Sequence, residues 1–177
     1  TITTLVPIVT NLCAPFLVKL TTKRNLMVGG SFVHMGGLLM IFFGGTNVPV
    51  LLAGAVIAAA GYGLKGSMHF AMQPDPVDYG EWKSGVNTAG TLSAVNGFVG
   101  KVGMAIASSI GAALLQFGGF DATQTIQTVT AQHYITAMYI WVPIFTNIAT
   151  IVTMMFYDLD KIYPQIIKEL DERRANA

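Results

Sequence analysis

Apolar residues run through this chain in five long stretches, Ile2–Val18, Leu26–Phe43, Val48–Met72, Thr88–Phe117 and Tyr134–Tyr157, separated by short polar connections. Each approaches or exceeds the roughly 20 helical residues that cross a hydrocarbon core about 30 Å thick. The pattern therefore predicts an all-α membrane protein with five transmembrane helices over residues 1–157. Small residues recur at helix-packing spacing in Gly54, Ala58 and Gly61, and again in Gly103, Ala107 and Gly111. Such stripes let helix backbones approach closely where no hydrophobic effect drives association. After Tyr163-Pro164, the residues Ile166, Ile167 and Leu170 mark one apolar face among Lys168, Glu169, Asp171, Glu172, Arg173 and Arg174. Residues 158–177 are accordingly expected to form a cytoplasmic tail helix lying against the membrane surface.

The basic residues orient these spans. Lys19, Lys23 and Arg24 fall in the first connection, Lys83 in the third, and Lys161, Lys168, Arg173 and Arg174 in the tail. The second and fourth connections, Gly44–Asn47 and Gly118–His133, carry no Lys or Arg. Because cytoplasmic loops hold the excess of Lys and Arg, all of these residues share the cytoplasmic side if the chain starts outside and ends inside.

Composition agrees. Hydrophobic residues make up 53% and charged residues 11%, against about 25% charged in soluble domains, and the mean hydropathy is +0.57. A net charge of +1 gives no basic footprint for nucleic acid. The lone Cys13 has no internal partner for a disulfide or a thiolate metal site.

Two lysines interrupt the apolar spans. Lys101 lies about 20 Å from the cytoplasmic boundary of its span and Lys65 about 15 Å in from the same side. An unpaired ammonium near the midplane costs roughly 2.5–3.5 kcal/mol on insertion scales, and none of the five spans contains Asp or Glu. The counter-charge is expected from outside this chain, as a carboxylate or a bound ligand, or else the lysines face a wet cavity. Lys101 is read as functional on this ground. For Lys65 a structural reading stands beside the functional one, since Gly63 and Gly66 let water in or let the stem bend toward the interface. His34 and His69 also lie within spans, where a proton relay and a hydrogen-bonded packing role are both open. Asn96 shares the span of Lys101 but points about 140° away from it. Tyr139 and Trp141 read as interfacial anchors, with stacking on a sugar ring as the alternative.

The connection Asp75-Pro76-Val77-Asp78-Tyr79-Gly80-Glu81-Trp82-Lys83-Ser84-Gly85 is polar and crowded with charge. Asp78 and Glu81 have capping-box spacing, which suits a short helical turn, and Asn87 and Thr88 offer another cap before the next span. With neither nucleophile nor metal partner nearby, the acidic pair does not read as acid–base catalysis. Engaging basic residues of another cytoplasmic loop, to latch a gate, is the expected task.

This connection resembles that of the glycoside-pentoside-hexuronide:cation symporters, the melibiose-permease-like branch of the major facilitator superfamily. Their usual form is close to Asp-Thr-Val-Asp/Glu-Tyr-Gly-Glu-Trp/Tyr-Lys-x-Gly, between the tenth and eleventh of twelve helices. The spacing to Lys101 fits as well, since the resemblance places a lysine there that is implicated in the cation and sugar sites. The five spans are then helices eight to twelve, part of the C-terminal six-helix bundle. The resemblance puts Asn96 and Gly97 at sugar-contacting positions of the eleventh helix. With Lys101 and Lys65 they are the candidates for the substrate or cation cavity, and Asp75, Asp78, Tyr79, Gly80, Glu81 and Trp82 are the candidates for a cytoplasmic gate. Many members continue the loop with Gly-x-Arg-x-Glu, whereas this chain reads Gly85-Val86-Asn87-Thr88-Ala89 and lacks both charges. Gly66 stands where a sugar-contacting Trp is usual.

The resemblance implies a secondary active transporter of the cell membrane, not an enzyme, coupling sugar or glycoside uptake to a monovalent cation, Na⁺ or H⁺, by alternating access. It implies no further cofactor, and it places the main cation-binding carboxylates in an N-terminal half outside this chain. Five spans alone are not expected to transport. A facilitator of another solute, including a lipid-like one, and a non-transporting membrane sensor or scaffold are the alternatives.

Overall fold

The structure is a computed structural model that describes residues 2–175. Its elements are α1 (Ile2–Val18), α2 (Lys23–Gly44), α3 (Val48–Met72), α4 (Asp75–Ser84), α5 (Ala89–Phe117), α6 (Val129–Thr136), a π-helical turn (Ala137–Trp141), α7 (Val142–Met155) and α8 (Leu159–Ala175). No strand occurs among the described residues. Long apolar helices fit for a membrane lie in α2, in the stretch beginning with α3, in α5 and in the continuous run Val129–Met155, while Thr4–Val18 is a shorter apolar helix.

Local chemistry sets the boundaries. Thr22 caps α2 by accepting from the Asn25 N–H, and Thr128 caps α6 by accepting from Ala131, each at 3.2 Å, which satisfies N–H groups that a helix start otherwise leaves orphaned. Gly85 ends α4 at φ +74°, a left-handed conformation that suits glycine, with its N–H on the Glu81 carbonyl at 2.8 Å. The last span starts at Val129, five residues before the Tyr134 boundary drawn from hydrophobicity, because Thr128 supplies a cap that the apolar pattern does not register.

One of the expectations is corrected. The charged connection is a ten-residue helix, α4, and not a loop with one turn. Pro74 precedes it without a side-chain cap, and Asp78 and Glu81 turn outward to other partners in place of a capping box. Asp75 and Asp78 in its first turn complement the helix dipole. The tail helix begins at Leu159, ahead of Pro164, which sits inside it and forfeits one backbone bond. Its apolar residues Ile166 and Leu170 are buried, and the helix packs on α4.

The tightest packing joins α2 to α3. A Cβ on Gly61 would collide with the His34 backbone, and one on Gly37 with the Ala58 backbone, so the Gly54, Ala58, Gly61 stripe brings these two helices into contact as expected. Gly63 does the same for α1, against Pro7 and Thr10. The second stripe behaves differently. A Cβ on Gly103 meets nothing within 4 Å, Gly111 faces only the Met138 sulfur at 3.5 Å, and α5 buries no residue among those described. A small-residue stripe needs a second backbone opposite it, and the neighbouring α6 run presents the bulky Tyr134 and Met138 instead.

Gly61→Ala is therefore expected to destabilise the full-length protein by about 1–3 kcal/mol, the cost of overpacking. Gly36→Ala, whose Cβ meets nothing within 4 Å, is expected to leave stability unchanged. Thermal unfolding of the two variants in detergent compares them.

Candidate functional site

Inside the membrane region, three helices meet at one polar side chain. Asn147 of α7 is 0% exposed. Its Oδ1 accepts from Lys65 Nζ of α3 at 2.9 Å, and its Nδ2 lies 3.0 Å from His34 Nδ1 of α2 and donates to the Pro143 carbonyl at 2.7 Å. The approach of α7 follows from Pro143, which has no N–H to give to the turn before it. The helix widens there into the π-helical turn, where Val142 N–H reaches back to Ala137. His34 also meets the edge of Tyr62, with ring centroids 5.8 Å apart. Beside it lies a cavity of about 240 Å³ lined by His34, Leu38, Ala58, Tyr62 and Tyr139 among others. Trp141 packs edge-on against Phe42 at 5.2 Å.

For Lys65 the structure adds a hydrogen-bond partner within the same bundle, the neutral amide of Asn147, which supplies no counter-charge. Asn147, the one amide in the predicted span Tyr134–Tyr157, was the signal available for it.

Lys101 is in the opposite situation. It is exposed on α5 and has no hydrogen bond or ion pair among the described residues. Gly97 is likewise open, with nothing within 4 Å of where a Cβ would stand. Asn96, nearer the start of the helix, lines a cavity of about 360 Å³ with Gln73, Asp78, Asn87 and Ser93. The structure thus joins Asn96 to the charged helix α4, whereas Lys65 is engaged with Asn147.

At that end, α4 is bound to three other parts of the chain. Asp75 is 1% exposed, and both of its oxygens are used, Oδ1 by Lys23 Nζ at 2.6 Å and Oδ2 by the Tyr157 hydroxyl at 2.8 Å. Lys23 also donates to the Ala71 carbonyl at 3.1 Å and lies over the Tyr163 ring at 4.6 Å. Asp78 accepts from the Tyr163 hydroxyl at 2.7 Å. Trp82 Nε1 donates to Glu169 at 2.6 Å, its carbonyl accepts from Arg173 at 2.9 Å, and Glu81 pairs with Arg174 at 3.0 Å and with the Asn87 amide at 2.6 Å. Tyr79 tilts against Trp82 at 6.0 Å, and a Cβ added at Gly80 would meet the Thr88 hydroxyl at 3.5 Å. Burial, followed by the hydrogen bond to a carboxylate, pushes both the Tyr157 and Tyr163 hydroxyls well above their ordinary range, so they remain donors. Nearby, Arg24 ties α2 to the start of α8, its N–H on Asp160 at 2.8 Å.

A family described as MFS/sugar transport protein matches residues 1–161. The chain belongs to that family. This MFS/sugar transport chain is 32% identical, over 97% of its length, to an isoprimeverose transporter of Lactiplantibacillus pentosus, covering 36% of that protein. It is 32% identical over 90% to a glucuronide carrier protein homolog of Escherichia coli (strain K12), covering 35% of it, and 27% identical over 92% to a putative sulfoquinovose importer of the same strain, again covering 35%. The chain thus spans about a third of the length of these relatives. No solved structure matches it. Membership agrees with the melibiose-permease-like resemblance and with an all-α, multi-pass membrane protein, and the family is one of transporters rather than enzymes.

In this MFS/sugar transport chain the acidic connection does engage a basic residue of another connection, through Lys23. Its remaining bonds go mostly to α8, because the tail carries the complementary Tyr163, Glu169, Arg173 and Arg174. Removing one partner of a buried ion pair costs about 3–5 kcal/mol, whereas exposed pairs contribute about 0–1 kcal/mol. Asp75→Ala is accordingly expected to destabilise the full-length protein far more than Arg174→Ala. Double-mutant cycles read by thermal unfolding are expected to give strong coupling for Asp75→Ala with Lys23→Ala and weak coupling for Glu81→Ala with Arg174→Ala.

Proposed function

We propose that this chain is the C-terminal part of a secondary active transporter that moves a sugar or glycoside together with Na⁺ or H⁺ across the cell membrane. The observation that carries this reading is Lys101, an ammonium on a membrane-length helix that has no partner among the described residues. Keeping such a charge without an answering group inside the bundle is costly, so its partner belongs to the substrate or to the rest of the transporter. The names of the relatives, an isoprimeverose transporter and a glucuronide carrier homolog among them, support the substrate class.

In this reading Lys101, with Gly97 on the same side of the helix, faces a central cavity completed by an N-terminal half, and the two halves rock about it; Asn96, about 140° round the helix, shares that cavity where α5 borders it broadly. The α4 helix with Asp75, Asp78, Tyr79, Gly80, Glu81 and Trp82 forms part of the cytoplasmic gate, and the chain's C-terminus is cytoplasmic. Lys65 serves that cavity only indirectly, by holding α3 to α7 through Asn147.

Uptake by the full-length protein in proteoliposomes, across a panel of sugars and glycosides with imposed Na⁺ or H⁺ gradients, tests the reading. One gradient is expected to drive accumulation, and Lys101→Ala is expected to abolish it. Unchanged accumulation in Lys101→Ala at every cation concentration would sink the role given to that lysine.

A further inference from the structure

The bonds around Asn147 determine more than packing. A carboxamide has one end that donates and one that accepts. The Pro143 carbonyl, 2.7 Å from Nδ2, can only accept, and the Lys65 ammonium, 2.9 Å from Oδ1, can only donate. Both neighbours impose the same orientation, so the amide cannot be turned over without losing two bonds. Nδ2 must then be the donor toward His34 Nδ1, 3.0 Å away, and that ring nitrogen must carry a bare lone pair. His34 is neutral in this arrangement, with its proton on Nε2.

A proton arriving at Nδ1 would set two N–H groups face to face. It would also place a second cation beside Lys65, in spans that contain no carboxylate. The other titratable groups facing the ring are Tyr62 of α3 and Tyr139 of the π-helical turn; α1 presents Pro7, and α7 presents Asn147. None of them offers a negative charge to an imidazolium. The adjoining cavity of about 240 Å³ has room for water beside three polar side chains, which gives the ring a route to protons.

We propose that His34 Nδ1 is a proton-binding site whose occupancy switches the link between α2 and α7. The link is formed while His34 is neutral and is broken when it is protonated. Asn147 is the positioning residue of the site, and the stabilisation it provides is present at the alkaline end and lost as pH falls through the titration of His34.

The test uses the full-length protein in detergent and does not depend on its transporting anything. Between about pH 8 and about pH 5, the native protein is expected to lose about 2–4 °C of melting temperature beyond what His34→Gln loses, since a glutamine carbonyl accepts from Asn147 at any pH. Asn147→Asp is expected to reverse the sign, because a carboxylate welcomes the imidazolium. Independently of any variant's folding, the ¹⁵N shifts of His34, sequentially assigned in the native protein, are expected to show Nε2 protonated and Nδ1 bare at about pH 8. A protonated Nδ1 at that pH, or coincident melting profiles for native protein and a folded His34→Gln, would overturn the proposal.

Discussion

A carboxylate sealed from water keeps its charge only when the chain brings a cation to it, and Asp75 obtains Lys23 from a connection 52 residues earlier. The cytoplasmic end, in the topology proposed above, is arranged around that contact. Lys23 starts α2, Asp75 starts α4, and Tyr157 beyond the end of α7 occupies the second oxygen. Tyr163 of α8 then reaches Asp78, while its ring lies against the Lys23 ammonium. Four separate parts of the chain thereby share one electrostatic centre, and the weaker exposed pairs around Trp82, Glu169 and Arg174 extend it along α8.

The membrane region obeys the same constraint with different chemistry. No carboxylate is available in the spans, so Lys65 is answered by a neutral amide whose remaining capacity is filled by a histidine and a carbonyl. That cluster locks α2, α3 and α7 together, over the glycine stripe that already brings α2 and α3 into backbone contact. Lys101 is left unanswered on a helix that buries nothing. One half of the bundle is thus internally satisfied, while the α5 side carries an open charge and an unmatched small-residue stripe, as expected of a surface that completes itself against more of the transporter.

Much of this was legible in the residues. Apolar run length predicted α1 and α3 to the residue and α5 to within one, because span length is set by a bilayer that sequence pattern reports directly. The stripe at Gly54, Ala58 and Gly61 was legible for the same reason, since helical periodicity alone puts it on one face. The partner of Lys65 was not, because Asn147 lies 82 positions away and a neutral amide carries no charge to mark it as the partner of an ammonium. The length of α4 was missed through reliance on capping-box spacing, when Asp78 and Glu81 are instead claimed by Tyr163 and Arg174 across tertiary contacts. Pro164 is an interior residue of α8, whose buried Ile166 and Leu170 offset one lost backbone bond.

The central claim is that position 101 faces a water-filled pathway rather than lipid. A cysteine placed there, in a full-length protein whose Cys13 and any other thiols have been replaced, can be challenged from either side of the membrane with a bulky, charged, membrane-impermeant thiol reagent. Labelling is expected to be slowed by bound substrate or coupling ion and to shift between the two sides with the conformational state. Labelling by lipid-soluble reagents alone, unaffected by solute or ion, would contradict it.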